Sequence, residues 1–374
     1  MLINPVKEHG VVYRREDIPY SYQGWPSLVR TDDGRLISVC SGYRMAHVCP
    51  FGKTVMNISD DEGQTWSAPV IINDSPLDDR DAGIVDLGHG RLLMSWFVHP
   101  AERMENLYYE GIRRDLSPEE WEIARAQIET YKRFDEERRK GGSYVILSDD
   151  GGRTWSQRIR VPVTAPHGPA LLNDGNLLYL GKEHCSYGLL EPGAIAAYTS
   201  ANGGRTWELL SKIQLPAEAA TANFSEPHAI ELPGGRVFGA IRAEGDGVYH
   251  NFTIYTCYSD DRGKTWSIPK PVNISGSPPH LMLHSSGALI MSFGRREEPF
   301  GERALVSFDG GETWPEEYII DDRAAGGDLG YPASAELGNG SIFTLYYQRQ
   351  PDGKGGYDKK TSILSTRWRL RGHK

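Results

Sequence analysis

An eight-residue pattern, Ser-x-Asp-x-Gly-x-Thr-Trp, recurs along this chain and limits its fold more than any other feature. It runs from Ser59 to Trp66, Ser148 to Trp155, Ser200 to Trp207, Ser259 to Trp266 and Ser307 to Trp314; only the Ser200 copy departs, with Asn202 in the Asp slot. Five copies in one register mark an internal repeat, so the chain is an array of like units. The Asp or Asn side chain suits a tight turn because it accepts hydrogen bonds from nearby backbone N–H groups. The Gly permits a positive φ. The Thr leads into the next strand, and the Trp offers a large ring to the apolar layer between units. The octamer is therefore read as structural, not catalytic.

Each unit opens with two short apolar runs separated by a Gly turn, the pattern of a β-hairpin. Trp25 to Val39 turns at Asp32-Asp33-Gly34, and Ala82 to Trp96 turns at Gly88-His89-Gly90. Pro169 to Leu180 turns at Asn173-Asp174-Gly175, and His228 to Ile241 turns at Pro233-Gly234-Gly235. His280 to Phe293 turns at Ser285-Ser286-Gly287, and Pro332 to Tyr346 turns at Gly338-Asn339-Gly340. Two further strands flank each octamer. The sixth unit has no clear octamer; Gly353-Lys354-Gly355-Gly356 lies near its expected place, and Thr361 to Leu370 reads as a closing strand. The early run Val11-Val12-Tyr13-Arg14 is placed to complete that unit, because pairing the chain ends removes an open edge. The expectation is all-β: one domain over residues 1–374, a six-bladed propeller.

The octamer resembles the Asp-box of the sialidase (neuraminidase) superfamily. In that family it joins the third and fourth strands of a blade, at the rim and away from the substrate pocket. The resemblance implies a sialidase-like propeller with its ligand near the central axis; Asp-boxes also occur in glycan-binding propellers without sialidase activity.

One segment breaks the repeat. Residues 100–141 form an insertion in blade two with a helical signature: Ser117 as N-cap, Pro118 at the first position and Glu120 three after the cap. Trp121, Ala124, Ile128 and Tyr131 follow at helical spacing. Surface decoration, a lid over the pocket and a homo-oligomer contact are all open roles for it.

The net charge of −9 and the absence of a basic block argue against a nucleic-acid partner. No run approaches the roughly 18–20 apolar residues of a membrane span, and Met1 to His9 lacks an apolar signal core. Cys40, Cys49, Cys185 and Cys257 have no paired spacing and read as free thiols, so a cytoplasmic location is expected.

Residues just before first strands and just after second strands should face the axis of such a fold, and here they are strongly polar. Blade one offers Arg44 and His47; blade two Asp79, Arg80 and Asp81; blade three His167, Lys182, Glu183 and His184. Blade four offers Glu226, His228 and Arg242; blade five His280, Arg295 and Arg296; blade six Tyr331. Their convergence points to a polar binding site. His167, His228 and His280 read either as hydrogen-bonded structural histidines or as a ring of imidazoles. Their spacing supports no metal motif, and no cofactor is expected.

Sialidases hold the substrate carboxylate with three arginines, attack with a Tyr paired to a Glu, and use an Asp as acid/base. Ser225-Glu226-Pro227-His228 followed by Gly239-Ala240-Ile241-Arg242 resembles the blade-four pattern, and Gly330-Tyr331-Pro332 resembles the segment that carries the Tyr. Arg296 stands where blade five can supply another arginine, with Arg303 as an alternative. Two positions depart: Gly24-Trp25-Pro26 matches the family's Arg-Ile-Pro motif without its arginine, and the loop Ser41 to Pro50, expected to carry the Asp, holds Arg44 and His47 and no carboxylate. The resemblance implies Tyr331 as nucleophile and Glu226 as its base; in place of the missing Asp, the imidazole of His47 or the second carboxyl of Asp81 is a candidate proton donor by its own chemistry. Arg44, Arg80, Lys182, Arg242 and Arg296, with the three histidines, would bind a sugar.

The leading expectation is an exo-acting, sialidase-like glycoside hydrolase on an acidic or polar sugar. A His-dependent hydrolase or uronate eliminase on the same fold is the first alternative. A non-catalytic glycan- or protein-binding propeller is the second.

Overall fold

The computed structural model describes residues 1–16, 19–184 and 190–372. Six antiparallel sheets stand around a common axis, each a blade of four principal strands. The first strands run Tyr22–Arg30, Asp79–Gly88, Ala170–Leu171, Asn223–Glu231, Pro279–Leu283 and Gly330–Glu336. Each contacts the first strand of the next blade, and the sixth meets the first, so the ring closes. This is a six-bladed β-propeller of mostly β structure.

The octamers sit between third and fourth strands, as expected. In the first copy the Thr65 amide and hydroxyl both donate to Asp61, at 2.8 and 2.6 Å, and the Gly63 amide donates to Ser59 Oγ at 2.8 Å. The Asn202 copy keeps this geometry, because its amide group donates to Thr206 Oγ1 at 2.8 Å. Gly63 is left-handed at φ 87°, and a Cβ there would lie 2.5 Å from the Phe343 ring of blade six. The glycine thus serves the turn and a close blade-to-blade approach at once. Trp66 meets the same Phe343, and Trp314 of blade five meets Phe238 of blade four, at ring separations of 5.9 and 6.2 Å.

Blade six corrects one expectation. Gly353-Lys354-Gly355-Gly356 is no degenerate octamer; it turns between the second strand, Ile342–Pro351, and the third, Tyr357–Trp368. The closing strand is Lys7–Tyr13, antiparallel to Tyr357–Trp368. The octamer's place in this blade is the gap between the chain's two ends, so no covalent turn exists there to encode. Leu2–Ile3 adds a fifth strand, parallel, to blade five.

The insertion lies between Val98 and Gly142 and is helical. Its main helix, Pro118–Tyr131, begins with a full capping box: Ser117 Oγ accepts from the Glu120 amide, and Glu120 accepts from the Ser117 amide. Ala124, Ile128 and Tyr131 are buried against blades one and two, beside Met45, Cys49 and Trp96. Cys40, Cys49 and Cys257 are buried free thiols, and Cys185 lies outside the described residues. Among the described residues no helix is long and apolar enough to cross a membrane.

Candidate active site

Four of the six first strands share a backbone irregularity. Their ladders slip between Gly24 and Ser27, Arg80 and Gly83, Ser225 and His228, and Gly330 and Ala333. Within each slip one non-glycine residue is left-handed: Trp25 at φ 51°, Asp81 at 50°, Glu226 at 49° and Tyr331 at 52°. Bulges re-aim side chains. A left-handed non-glycine residue costs on the order of 1–3 kcal/mol and gathers where a site needs that aim. Asp81, Glu226 and Tyr331 all line one cavity of about 570 Å³, and Trp25 packs against Tyr331 with ring centroids 6.4 Å apart.

The Tyr331 hydroxyl donates to Glu226 Oε1 at 2.6 Å. Arg242 Nη1 donates to the other Glu226 oxygen at 2.6 Å and lies 3.4 Å from the Tyr331 oxygen; its Nη2 donates to Glu244 at 2.6 Å. Burial alone would raise the Glu226 pKa, but Arg242 and the Tyr331 hydroxyl hold it below the ordinary carboxylate value. Burial and the Glu226 charge push Tyr331 well above the usual phenol range, so its hydroxyl keeps its proton at rest. Asp81 moves the opposite way from Glu226. Burial, with the Glu226 charge added, pushes it up to about 7 against the pull of Arg80. Its Oδ1 is buried with no hydrogen-bond partner among the described residues. Two neighbouring carboxyls with opposite shifts are the arrangement from which an acid and a base are made.

His47 forms another wall of the cavity. Its Nδ1 contacts Asp328 Oδ1 at 3.0 Å, and Tyr22 and Tyr347 also donate to that oxygen, at 2.9 and 3.1 Å. With Nδ1–H directed at a carboxylate, Nε2 is left as the acceptor. The His47 loop is held from beneath: Arg44 Nη2 and Arg80 Nη1 both donate to its carbonyl, at 3.0 and 3.1 Å, and both ion-pair with the buried Asp78. Both guanidiniums also lie over the Trp25 ring, at 4.6 and 4.1 Å. The Trp25 indole is thus a platform for two arginines.

Of the residues expected to bind substrate, Arg80, Lys182 and Arg242 line the cavity. Arg44 does not: it is fully buried, and its charge is neutralised by Asp78. His167, His228 and His280 meet one another at the axis, with centroids 4.7–5.3 Å apart, but do not line the cavity. His228 and His280 clasp neighbouring blades, and His167 reaches across the axis from blade three to blade one. His228 Nδ1 accepts from the Leu281 amide at 2.9 Å, His280 Nδ1 accepts from the Ser334 amide at 3.3 Å, and His167 Nδ1 contacts Ser27 Oγ at 3.2 Å. Burial lowers all three pKa values, that of His228 to about 4, so they stay neutral. Arg296 also stands outside the lining and donates to the Gly327 carbonyl at 2.8 Å. Among the described residues no group of three or more His, Cys, Asp or Glu side chains is arranged to hold a metal ion.

The cavity also holds residues that the sequence reading missed. His99 follows the second strand of blade two, where the rule that singled out Lys182 and Arg242 should have found it. Asp328, which does not line the cavity but holds His47 at its wall, precedes the first strand of blade six by two residues and belongs to the same class. Glu244, two residues beyond Arg242 on one strand, points the same way by alternation. Arg103 and Tyr108 come from the insertion, where no repeat logic applies.

Solved structures share this architecture. A protein of unknown function from Dyadobacter fermentans is 20% identical with a TM-score of 0.75, over 98% of this chain and 99% of that one. The NanB sialidase of Streptococcus pneumoniae is 16% identical with a TM-score of 0.68, over 97% of this chain and 71% of its own. The intramolecular trans-sialidase of Ruminococcus gnavus is 15% identical with a TM-score of 0.67, over 98% of each chain. At these identities the likeness concerns the fold. No curated protein sequence matches the chain. Residues 117–344, well over half the length and four of the five octamers, match the BNR repeat-like domain family. The chain belongs to that family, on a sialidase-like six-bladed propeller.

Proposed function

We propose that this protein is an exo-acting glycoside hydrolase on a polar or acidic sugar, with Tyr331 as nucleophile. The observation that carries the reading is the 2.6 Å hydrogen bond from Tyr331 to Glu226, in a cavity that also holds the raised carboxyl of Asp81. In the first step the Tyr331 oxygen attacks the anomeric carbon as its proton passes to Glu226. Asp81 gives its proton to the departing glycosidic oxygen. Arg242, 3.4 Å from the phenol oxygen, stabilises the negative charge that develops there. In the second step water, deprotonated by Asp81, displaces tyrosine, and Glu226 returns the proton to Tyr331. Two displacements at one carbon retain its configuration.

A panel of aryl glycosides tests the reading. Tyr331→Phe and Glu226→Gln should each abolish turnover in a chain that remains folded, and full activity in both variants overturns the mechanism. Asp81→Asn should impair alkyl glycosides, whose leaving groups need a proton, far more than nitrophenyl glycosides.

One observation favours a second reading, a uronate eliminase. The contact of His47 Nδ1 with Asp328 leaves Nε2 as a ready base at the cavity wall. That chemistry would release an unsaturated product absorbing in the ultraviolet, whereas hydrolysis releases a reducing sugar and no such absorbance. Tight glycan binding with neither product would identify a binding propeller. A cytoplasmic location fits the buried free thiols and is part of the proposal.

A further inference from the structure

The cations of the cavity are not equally matched. Arg242 is paired with Glu226 and Glu244, and Arg80 with Asp78. Arg103 and Lys182 have no ion-pair partner among the described residues. Arg103 Nη1 donates to the Tyr108 hydroxyl, at 3.3 Å. Lys182 Nζ donates to the neutral Asn223 Oδ1 at 2.6 Å, and Asn223 in turn donates to Glu244 at 2.7 Å, so an amide stands between the ammonium and Glu244. The other carboxylate of this wall, Glu183, accepts from Tyr198.

A second observation marks the same corner. His99 is 9% exposed and lines the cavity, and its Nδ1 has no hydrogen-bond partner among the described residues. A buried imidazole nitrogen without a partner costs free energy unless a ligand supplies one. Burial, and after it the nearby cations Arg80 and Arg103, keep His99 well below its usual pKa, as expected of a neutral ring in a positive field. Tyr108 closes the corner, with its ring centroid 5.6 Å from that of His99.

We propose that Arg103, Lys182 and His99 form an anion subsite that receives the negatively charged group of the substrate sugar, a carboxylate or a sulfate. The inference rests on the reading that this cavity binds a sugar, and it names the class of sugar. It assigns the helical insertion a role: Arg103 and Tyr108 bring the insertion into the binding wall, beside blades two and three.

The experiment measures binding to the full chain carrying Tyr331→Phe, so that no turnover is needed. D-glucuronate, D-glucose 6-sulfate and D-glucose are titrated by calorimetry, with and without Arg103→Met and Lys182→Met, and thermal melts check that each variant is folded. At least one anionic probe should bind ten-fold or more tighter than glucose, and the double variant should reduce it to the glucose level. Arg103→Lys should restore part of the difference, since it keeps the charge and loses the planar fork. Preference for glucuronate alone supports a carboxylate subsite, and equal gain from both anions supports general recognition of charge. Binding of both anions no tighter than glucose, or undiminished in the double variant, overturns the proposal. The hydrolase reading is judged separately, by whether Tyr331→Phe abolishes turnover of neutral aryl glycosides.

Discussion

Replacing Asp81 by Asn should make the protein more stable and less active, and the gain in stability should depend on pH. Asp81 is 5% exposed, and its folded-state pKa lies near 7 against an ordinary value of 3.8, a rise of about three pH units. At about 1.4 kcal/mol per unit this is a difference of about 4 kcal/mol between neutral and charged forms. The contribution of the protonated carboxyl is fully present below about pH 3.8 and is lost as the pH climbs through about 7, because the unfolded chain releases the proton first. An Asn has the shape of the protonated acid, tolerates the left-handed backbone at φ 50°, and never charges. With an unfolding entropy of about 2.1 cal/mol/K per residue over 374 residues, 4 kcal/mol corresponds to roughly 5 °C in Tm. Thermal melts of both proteins at pH 4 and pH 8 test this. The variant should melt higher at pH 8 and together with the parent at pH 4. A variant that melts lower at pH 8, or by the same margin at both values, would refute the claim that the buried carboxyl resists ionisation.

Glu226→Gln leaves Tyr331 without its base, and kcat should fall by about 10²–10⁴ on any substrate that is turned over. Gly63→Ala forces a Cβ toward the Phe343 ring at a left-handed position, and a loss of about 2–4 kcal/mol is expected in denaturant melts, with KM unchanged. Asp328→Asn removes the charge that raises the His47 pKa, so the His47 imidazole should titrate lower by NMR than in the parent protein. Ser117→Ala breaks the capping box and should cost about 1 kcal/mol of local stability, read as faster proteolysis within residues 100–141.

The octamer could be read without a structure because each of its contacts is local. Asp61 reaches Thr65, and Ser59 reaches Gly63, within four residues. The hairpins were legible for the same reason, and so was the Ser117 cap. Blade six was misread at Gly353 to Gly356 because its closing strand comes from the other end of the chain, and no local pattern records that pairing.

Repeat register was enough to nominate Asp81, Glu226, Arg242 and Tyr331 for the axis. It could not tell which nominees face the cavity and which lie beneath it. Arg44 and Arg80 look alike in sequence, yet one is sealed against Asp78 and the other lines the cavity. Three histidines at like positions proved to be clasps between blades, because each ring meets a strand that is distant in the chain. Amino-acid order thus determined the blades, their turns and the pool of polar side chains at the axis, since those depend on contacts a few residues apart. Only the closed ring decided how those side chains pair, which carboxyl keeps its proton, and that an insertion outside the repeat supplies Arg103 to the cavity. Each of these depends on what other blades bring within a few ångströms, and on how far water is kept away.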